Sequence, residues 1–505
     1  MNSLQPLAIS HQRSALSRKS ARNLQSRQQS VVAVADVSVS DKDLFADSRQ
    51  PTADSHLSHR NIPITIIGGG IHGISIAIRL LREVPTAARH LAIVDRHPQP
   101  LTQWRRKTER QGMTFLRSPA VHHITPDALG IVEYAEHHNR ISELAPPYSQ
   151  PSTQLFWEFC GDMLTELAQH RIYHQFEVAK LRWDKGAGKF PFRLISKDGD
   201  GFRSRCVILA IGADDCAYVP PEFVQWQCQY PGRILHASEF DVDSANTFSH
   251  PSVGAVSNRT DAKCEINSKI YYNVDCQDGR DNEESFVIVG GGLTAGTLAK
   301  SLSERGHSVA LIARKQLRTE QFDFPPMWLG PKALTEFADE TDFQRRYEII
   351  QQSRGEGSIT PDIMEALMDA TNIKIYPETH IQNIVSVDGK NPPERLKVET
   401  NRGDLLTVSR VILATGYQFN LCRYGFLREL IAQHQVPLVR GLPRLDTDLQ
   451  LYPVENLFGS GTIAQLQIGP AANNIAGANL AYERLREKLL EIANSIVPQV
   501  HTRLA

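Results

Sequence analysis

Two glycine-rich turns carry most of the chemistry legible in this chain of 505 residues. The first, Gly68-Gly69-Gly70-Ile71-His72-Gly73, fills G-x-G-x-x-G directly after the apolar run Ile64–Ile67. In such a turn the first glycine permits the tight bend and the second lets backbone approach a pyrophosphate. The third lets helix and strand pack closely. The helix that opens there offers free N–H groups and its positive dipole end to phosphates. Asp95 closes the next apolar run, Leu91–Val94, where a carboxylate can accept bonds from ribose hydroxyls.

The second turn, Gly290-Gly291-Gly292-Leu293-Thr294-Ala295, follows Phe286–Val289, with Ala295 as the permitted third small residue. Its next strand, Val309–Ala313, ends in Arg314-Lys315 rather than in an acid. A carboxylate there would repel a 2′-phosphate, whereas a guanidinium can hold one bidentately. This site is therefore expected to take NADPH over NADH; the alternative is that Arg314 and Lys315 are solvated loop charges. Two dinucleotide sites imply electron traffic between two cofactors. FAD belongs at the turn with the acidic ribose contact, and the hydride donor at the other.

The elements that must position these turns repeat. Residues 62–96 and 285–315 each read strand, glycine turn, helix, strand, then a charged residue. Further β-rich runs, Val207–Ile211 and Val411–Ala414, alternate with helical patterns, which implies parallel sheets covered by helices. The expected fold is α/β, with two Rossmann-type dinucleotide-binding domains and the NADPH domain inserted in the FAD domain. The expected bounds are 59–242 for the first part of the FAD domain, 285–400 for the NADPH domain and 401–495 for the returning part of the FAD domain. Residues 243–284, rich in Ser, Asn and Asp, read as a polar inserted loop.

Residues 1–58 do not read as part of the fold. Up to Ala35 there are five basic residues, seven serines and no acid, the composition of either a transit peptide or a disordered polar tail. The expected location is cytoplasmic, or an organelle if the segment is a transit peptide. Bulk composition narrows the partners. A net charge of −1 argues against a general nucleic-acid binder. No apolar run is long enough for a transmembrane helix. None of the seven cysteines are spaced C-x-x-C, so neither a zinc knuckle nor a dithiol redox pair is expected. The adjacent pairs His122/His123 and His137/His138 point their side chains in different directions, so no metal site is expected. A homo-oligomer is left open.

Four segments resemble the flavin-dependent monooxygenases with separate FAD and NADPH domains, especially the lysine/ornithine N-hydroxylating type. Tyr230-Pro-Gly232-Arg-Ile-Leu-His236-Ala-Ser-Glu-Phe240 is similar to the fingerprint F-x-G-x-x-x-H-x-x-x-[YF], with Tyr230 for Phe and Asp241 where a basic residue commonly follows. Ala414-Thr415-Gly416-Tyr417 matches the A-T-G-Y motif, with Ser409 where Asp is common. Met113 to His123 is similar to the segment under the flavin ring, and Leu457 to Ile475 to the C-terminal flavin-binding turn.

The resemblance implies that FAD is held by Gly68, Gly70, Gly73, Asp95, Met113, Gly461, Gln467 and Gly469. It implies NADPH at Gly290, Gly292, Ala295, Arg314 and Lys315. It also implies NADPH-driven reduction of FAD, activation of O₂ on the flavin, and oxygen transfer to a small nucleophile, with N-hydroxylation of an amine or amino-acid side chain favoured. Because the flavin does the hard step, the protein supplies positioning and water exclusion, and no Ser-His-Asp or Cys-His pair is expected. His236 is expected to orient the backbone joining the domains more than to act as a base. Arg117 either pairs with a phosphate or substrate carboxylate or is structural. Phe324 to Pro331 reads as a rigid apolar lid or a packed loop. The competing functions are an FAD/NADPH oxidoreductase with a non-oxygen acceptor and a non-catalytic flavin-binding regulator.

Overall fold

A computed structural model describes residues 57–245, 284–390 and 393–495. The expected tail at 1–58 and polar loop at 243–284 lie almost wholly outside these residues.

The first sheet has seven strands. Tyr173–Gln175, Leu91–Asp95, Asn61–Ile67, Gly201–Leu209, Phe192–Ser196 and Val178–Trp183 lie in that order, and Leu457–Gly459 also pairs with Gly201–Leu209. Its centre is parallel, with Ile66 opposite Ile93 and Ile208. These strands are near-continuous apolar runs because both faces of the sheet are covered; Ile64, Ile66, Ile93 and Val207 are wholly buried. One buried polar pair interrupts them, Thr65 Oγ1 to Ser204 Oγ at 2.8 Å. The glycine turn leads from Asn61–Ile67 into the helix Ile71–Glu83, on which the C-terminal helix Ile475–Asn494 packs.

The second sheet is parallel throughout, in the order Ile373–Tyr376, Ser308–Ile312, Ser285–Val289, Arg410–Leu413, Ile234–His236. Its own glycine turn opens the helix Leu293–Glu304. Two of the five strands lie outside the 285–400 span expected from sequence. Ile234–His236 enters before the insertion, and Arg410–Leu413 pairs with Ser285–Val289 after it. Short apolar runs carry no local mark of the sheet they join, so the expected bounds at 242 and 400 cut through this sheet. An antiparallel meander, Ile381–Ser386, Leu396–Thr400 and Leu405–Val408, accompanies it.

A second departure concerns Pro326–Leu329, Pro331–Asp339 and Phe343–Arg354. They fall within the second unit in sequence, yet Trp328, Phe337 and Ile350 share a core with the first sheet and with Leu466. No helix among the described residues is long and apolar enough to cross a membrane.

Candidate functional site

The glycines of both turns divide into those that face protein and those that face open space. A β-carbon on Gly68, whose φ is +111°, would stand 2.3 Å from the Ala210 carbonyl oxygen. One on Gly73 would stand 1.9 Å from the Gly68 carbonyl oxygen. These two glycines allow strand, turn and helix to close on one another. Around Gly70 no atom beyond the local chain lies within 4 Å of such a carbon. The second turn repeats the division. A β-carbon on Gly290 would stand 2.4 Å from the Ala414 carbonyl oxygen, whereas at Gly292 its nearest neighbour is the Gly357 Cα at 3.8 Å. Ala295 is fully buried. In each turn the middle glycine thus leaves a cradle that a side chain would fill. Asp95 sits behind the first, its Oδ2 accepting the Gly69 N–H at 2.6 Å and its Oδ1 the His97 N–H at 2.8 Å.

Between the turns lies a cavity of about 640 Å³. Ile71 and His72 of the first turn helix line it, with Leu293 and Thr294 of the second, Tyr417, and Asn473 to Ala476. Its volume falls in the range typical of small-molecule sites. Phe324, Pro326 and Leu329 contribute apolar wall. Arg354 joins that wall to the C-terminal turn, donating to the Pro470 carbonyl at 2.7 Å, to Asn473 Oδ1 at 2.8 Å and to Asp323 at 2.7 Å. Lys107 stands 4.4 Å above the Tyr417 ring and 3.5 Å from Asp214.

His72 was not singled out by its spacing, since the x positions of the motif accept many residues; a bulky polar side chain there was the available signal. Its Nδ1 lies 2.9 Å from Ser460 Oγ, and the Asn474 backbone stands within hydrogen-bonding reach of the buried ring. Burial pushes its pKa down to about 4, so the ring is neutral near pH 7.

The other expected site residues divide. Gly461 faces the His72 ring at 3.7 Å, and Gly469 packs on Trp328 at 3.4 Å, both measured from where a β-carbon would stand. Trp328 is thus a packed residue of the core. Gln467 is held through its side chain. Its Oε1 accepts from Arg346 at 2.9 Å and its Nε2 donates to the Leu445 carbonyl at 2.6 Å, so both ends of its side chain are committed to protein. Met113 lines a neighbouring hollow rather than the cavity between the turns. Arg117 donates to the carbonyls of Gln321 and Glu320 at 2.9 and 2.8 Å and to Ser358 Oγ at 2.6 Å, which makes it a clamp between segments. His236 is buried, its Nε2 donating to the Gly416 carbonyl at 3.1 Å and its Nδ1 2.8 Å from Ser238 Oγ. Arg314 is exposed at the end of Ser308–Ile312, and Lys315 pairs with Glu356 at 2.5 Å. Among the described residues no group of three His, Cys, Asp or Glu is placed to hold a metal.

Comparison with known proteins agrees with this geometry. A family model for FAD-NAD(P)-binding proteins matches residues 65–214. Residues 65–214 are an FAD/NAD(P)-binding domain. No curated protein matches the chain in sequence. Among solved structures it is similar to the ornithine hydroxylase PvdA from Pseudomonas aeruginosa, at 16% identity over 86% of this chain and 99% of that one, with a TM-score of 0.61. The Kutzneria sp. 744 ornithine N-hydroxylase KtzI, described with reduced FAD, NADP⁺ and L-ornithine, gives 15%, 85%, 99% and 0.63. The bacillithiol disulfide reductase Bdr (YpdA) from Staphylococcus aureus gives 15%, 86%, 99% and 0.50. The whole described fold is that of two-domain FAD/NAD(P)-binding flavoenzymes.

Proposed function

We propose that the protein is an FAD-dependent monooxygenase that uses NADPH and O₂ to oxygenate a small nucleophile, with an amine or amino-acid side chain as the favoured substrate. The observation that carries this reading is that both glycine turns place residues on one cavity, and that no described cysteine lines it. FAD bound at the first turn would accept hydride from the nicotinamide and activate O₂. Gly70 and Gly292 would leave room for the two pyrophosphates, and Arg314 would hold the 2′-phosphate. Phe324 and Leu329 would give the cavity an apolar wall against water, which favours oxygen transfer over release of H₂O₂.

The nearest rival passes electrons to another acceptor. A disulfide acceptor would call for a thiol beside the flavin. Cys160, Cys206 and Cys216 are buried elsewhere, and Cys228 and Cys422 are exposed outside the cavity. The deciding experiment supplies holoenzyme with NADPH, ¹⁸O₂ and a panel of amines including L-ornithine and L-lysine. The expected result is an ¹⁸O-labelled hydroxylated amine, with one NADPH consumed per product. Reduction of O₂ wholly to H₂O₂ with every amine, or far faster electron transfer to a quinone, overturns the proposal.

A further inference from the structure

Lys107 and Tyr417 line two spaces at once, the dinucleotide cavity and a much smaller hollow beside it. The small hollow measures about 20 Å³. A single water needs roughly 10–15 Å³ and about two to four polar partners, so one fits. Gln103, Arg106, Lys107 and Arg110 lie on one face of the helix Thr102–Arg110 and line one side of it. Ser238, just past the strand Ile234–His236, lines the other side with Tyr417. Arg106 and Arg110 are exposed, so the hollow opens toward the surface. One layer of side chains, Lys107 and Tyr417, therefore stands between the hollow and the dinucleotide cavity.

That layer is built of groups with exchangeable protons. Lys107 Nζ stands 4.4 Å from the centre of the Tyr417 ring and 3.5 Å from Asp214 Oδ1. Lys107 and Ser238 both lie within hydrogen-bonding reach of the Tyr417 side chain. Ser238 Oγ is in turn 2.8 Å from His236 Nδ1. Burial lowers the Lys107 pKa, but Tyr417 and Asp214 together outweigh it, and the net shift is upward. Burial raises that of Tyr417. Both groups hold their protons at neutral pH, as donors must. Arg117 and Arg354, also on the large cavity, cannot pass a proton on, because a guanidinium does not deprotonate in a protein.

The proposed oxygenation needs a proton path of this kind. For a free amine it reads RNH₂ + O₂ + NADPH + H⁺ → RNHOH + H₂O + NADP⁺. NADPH supplies a hydride, and the amine nitrogen supplies the electron pair of the new N–O bond as the O–O bond breaks. The remaining proton has to come from water, through walls that keep bulk water out.

We propose that Lys107 and Tyr417 relay that proton, from a water in the small hollow into the dinucleotide cavity. The relay rests on the oxygenase reading above. The Tyr417 hydroxyl gives its proton to the cavity side and takes one from the Lys107 ammonium, which the water in the hollow reprotonates. Asp214 keeps the ammonium in place, and neither residue is changed over a turnover.

The test separates the two halves of turnover in FAD-loaded full-length protein, with no amine added. Hydride transfer from NADPH takes up no proton, whereas reoxidation of the reduced flavin anion by O₂, which gives H₂O₂, takes up one. Tyr417→Phe keeps the ring beneath the ammonium, and Lys107→Met keeps the length of the stem. Each should slow reoxidation about tenfold more than it slows anaerobic reduction by NADPH. In D₂O, reoxidation should slow further in the variants than in the wild type. A crystal structure of the holoenzyme should show an ordered water in the small hollow. Equal slowing of the two half-reactions marks the pair as structural and overturns the proposal. So does reoxidation that neither variant alters, or a hollow without water. A wild-type reduced flavin that O₂ does not reoxidise brings down the oxygenase reading, and the relay with it.

Discussion

His72 Nδ1 and Ser460 Oγ lie 2.9 Å apart and join the first glycine turn to the C-terminal turn across 388 positions of sequence. The bond fixes a ring that burial keeps neutral, with its pKa pushed down to about 4. His123, packed edge-on to Phe159 and bonded to Thr125, is also pushed down to about 4, chiefly by burial. An unfolded histidine titrates near 6.5. Between about pH 6.5 and 4 the unfolded chain therefore binds protons that the folded chain refuses, so stability falls as pH drops through that window and is complete above it. The melting temperature of the flavin-free protein should fall by several degrees from pH 7 to pH 5, and His72→Asn should flatten part of that slope. A wild-type melting temperature that is level across this range contradicts the burial argument.

The contrast between Gly70 and Gly73 gives a second test. Gly70→Val places its side chain in space that no protein atom fills, so the fold should persist while FAD is lost. Gly73→Ala drives a β-carbon into the Gly68 carbonyl oxygen, a backbone clash that neither partner can relieve by rotation. It should lower soluble yield and melting temperature even where some flavin remains. The ratio of flavin to protein absorbance, with a thermal melt of each variant, separates the two. A full flavin complement in Gly70→Val would show that the first turn does not hold FAD.

Both turns were legible because their signal is local. Strand, glycine, helix and terminal charge fall within about 35 contiguous residues, and the structure places Ile64, Ile66, Phe286 and Ile288 in the two cores, as apolar strand runs require. What sequence did not convey is set by contacts across long separations. Nothing in Ile234–His236 says that it will pair with Val411 to Leu413. Nothing in Phe343–Arg354 says that Ile350 will join the first core rather than the second. Gln467 belongs to a contiguous motif, yet nothing in that motif names its side-chain partner. Its actual partner, Arg346, lies 121 residues away.

That partner carries a third prediction. Arg346 is buried, and its guanidinium donates to the carbonyls of Leu466, Ala338 and Glu340 as well as to Gln467 Oε1, at 2.6 to 2.9 Å. One planar group thereby secures the helical insertion to the C-terminal turn. Arg346→Leu leaves four acceptors with no donor and should cost about 3–5 kcal/mol. Arg346→Lys, which cannot reproduce the fork, should recover only a minor part. Gln467→Leu should cost about 1–2 kcal/mol, since each lost partner is a single bond. Denaturant titrations of the three variants rank these values. A Gln467→Leu protein of wild-type stability that loses flavin would return Gln467 to the cofactor.

Cofactor choice rests on Arg314. It is exposed at the end of Ser308–Ile312, where the adenosine ribose of a dinucleotide on the second turn would end. A guanidinium there can make two charge-assisted bonds to a 2′-phosphate and has no such partner on NADH. Each bond to a charged group is worth about 1.5–3 kcal/mol. Exposure holds the net gain near the low end, about tenfold per bond. Arg314→Ala should thus raise KM for NADPH by about one to two orders of magnitude and leave that for NADH nearly unchanged. Lys315 is not an equal substitute, because Glu356 stands 2.5 Å from its ammonium and competes with any phosphate. Lys315→Ala alone should therefore have a small effect. Glu356→Gln, which frees the ammonium, should lower KM for NADPH a few-fold. Steady-state NADPH and NADH oxidation by the wild type, the three single variants and the Arg314→Ala/Lys315→Ala double variant completes the comparison. A wild type that uses both nucleotides equally well, or a double variant that keeps its preference, removes the phosphate from Arg314; the glycine cradles at Gly70 and Gly292 would stand unaffected.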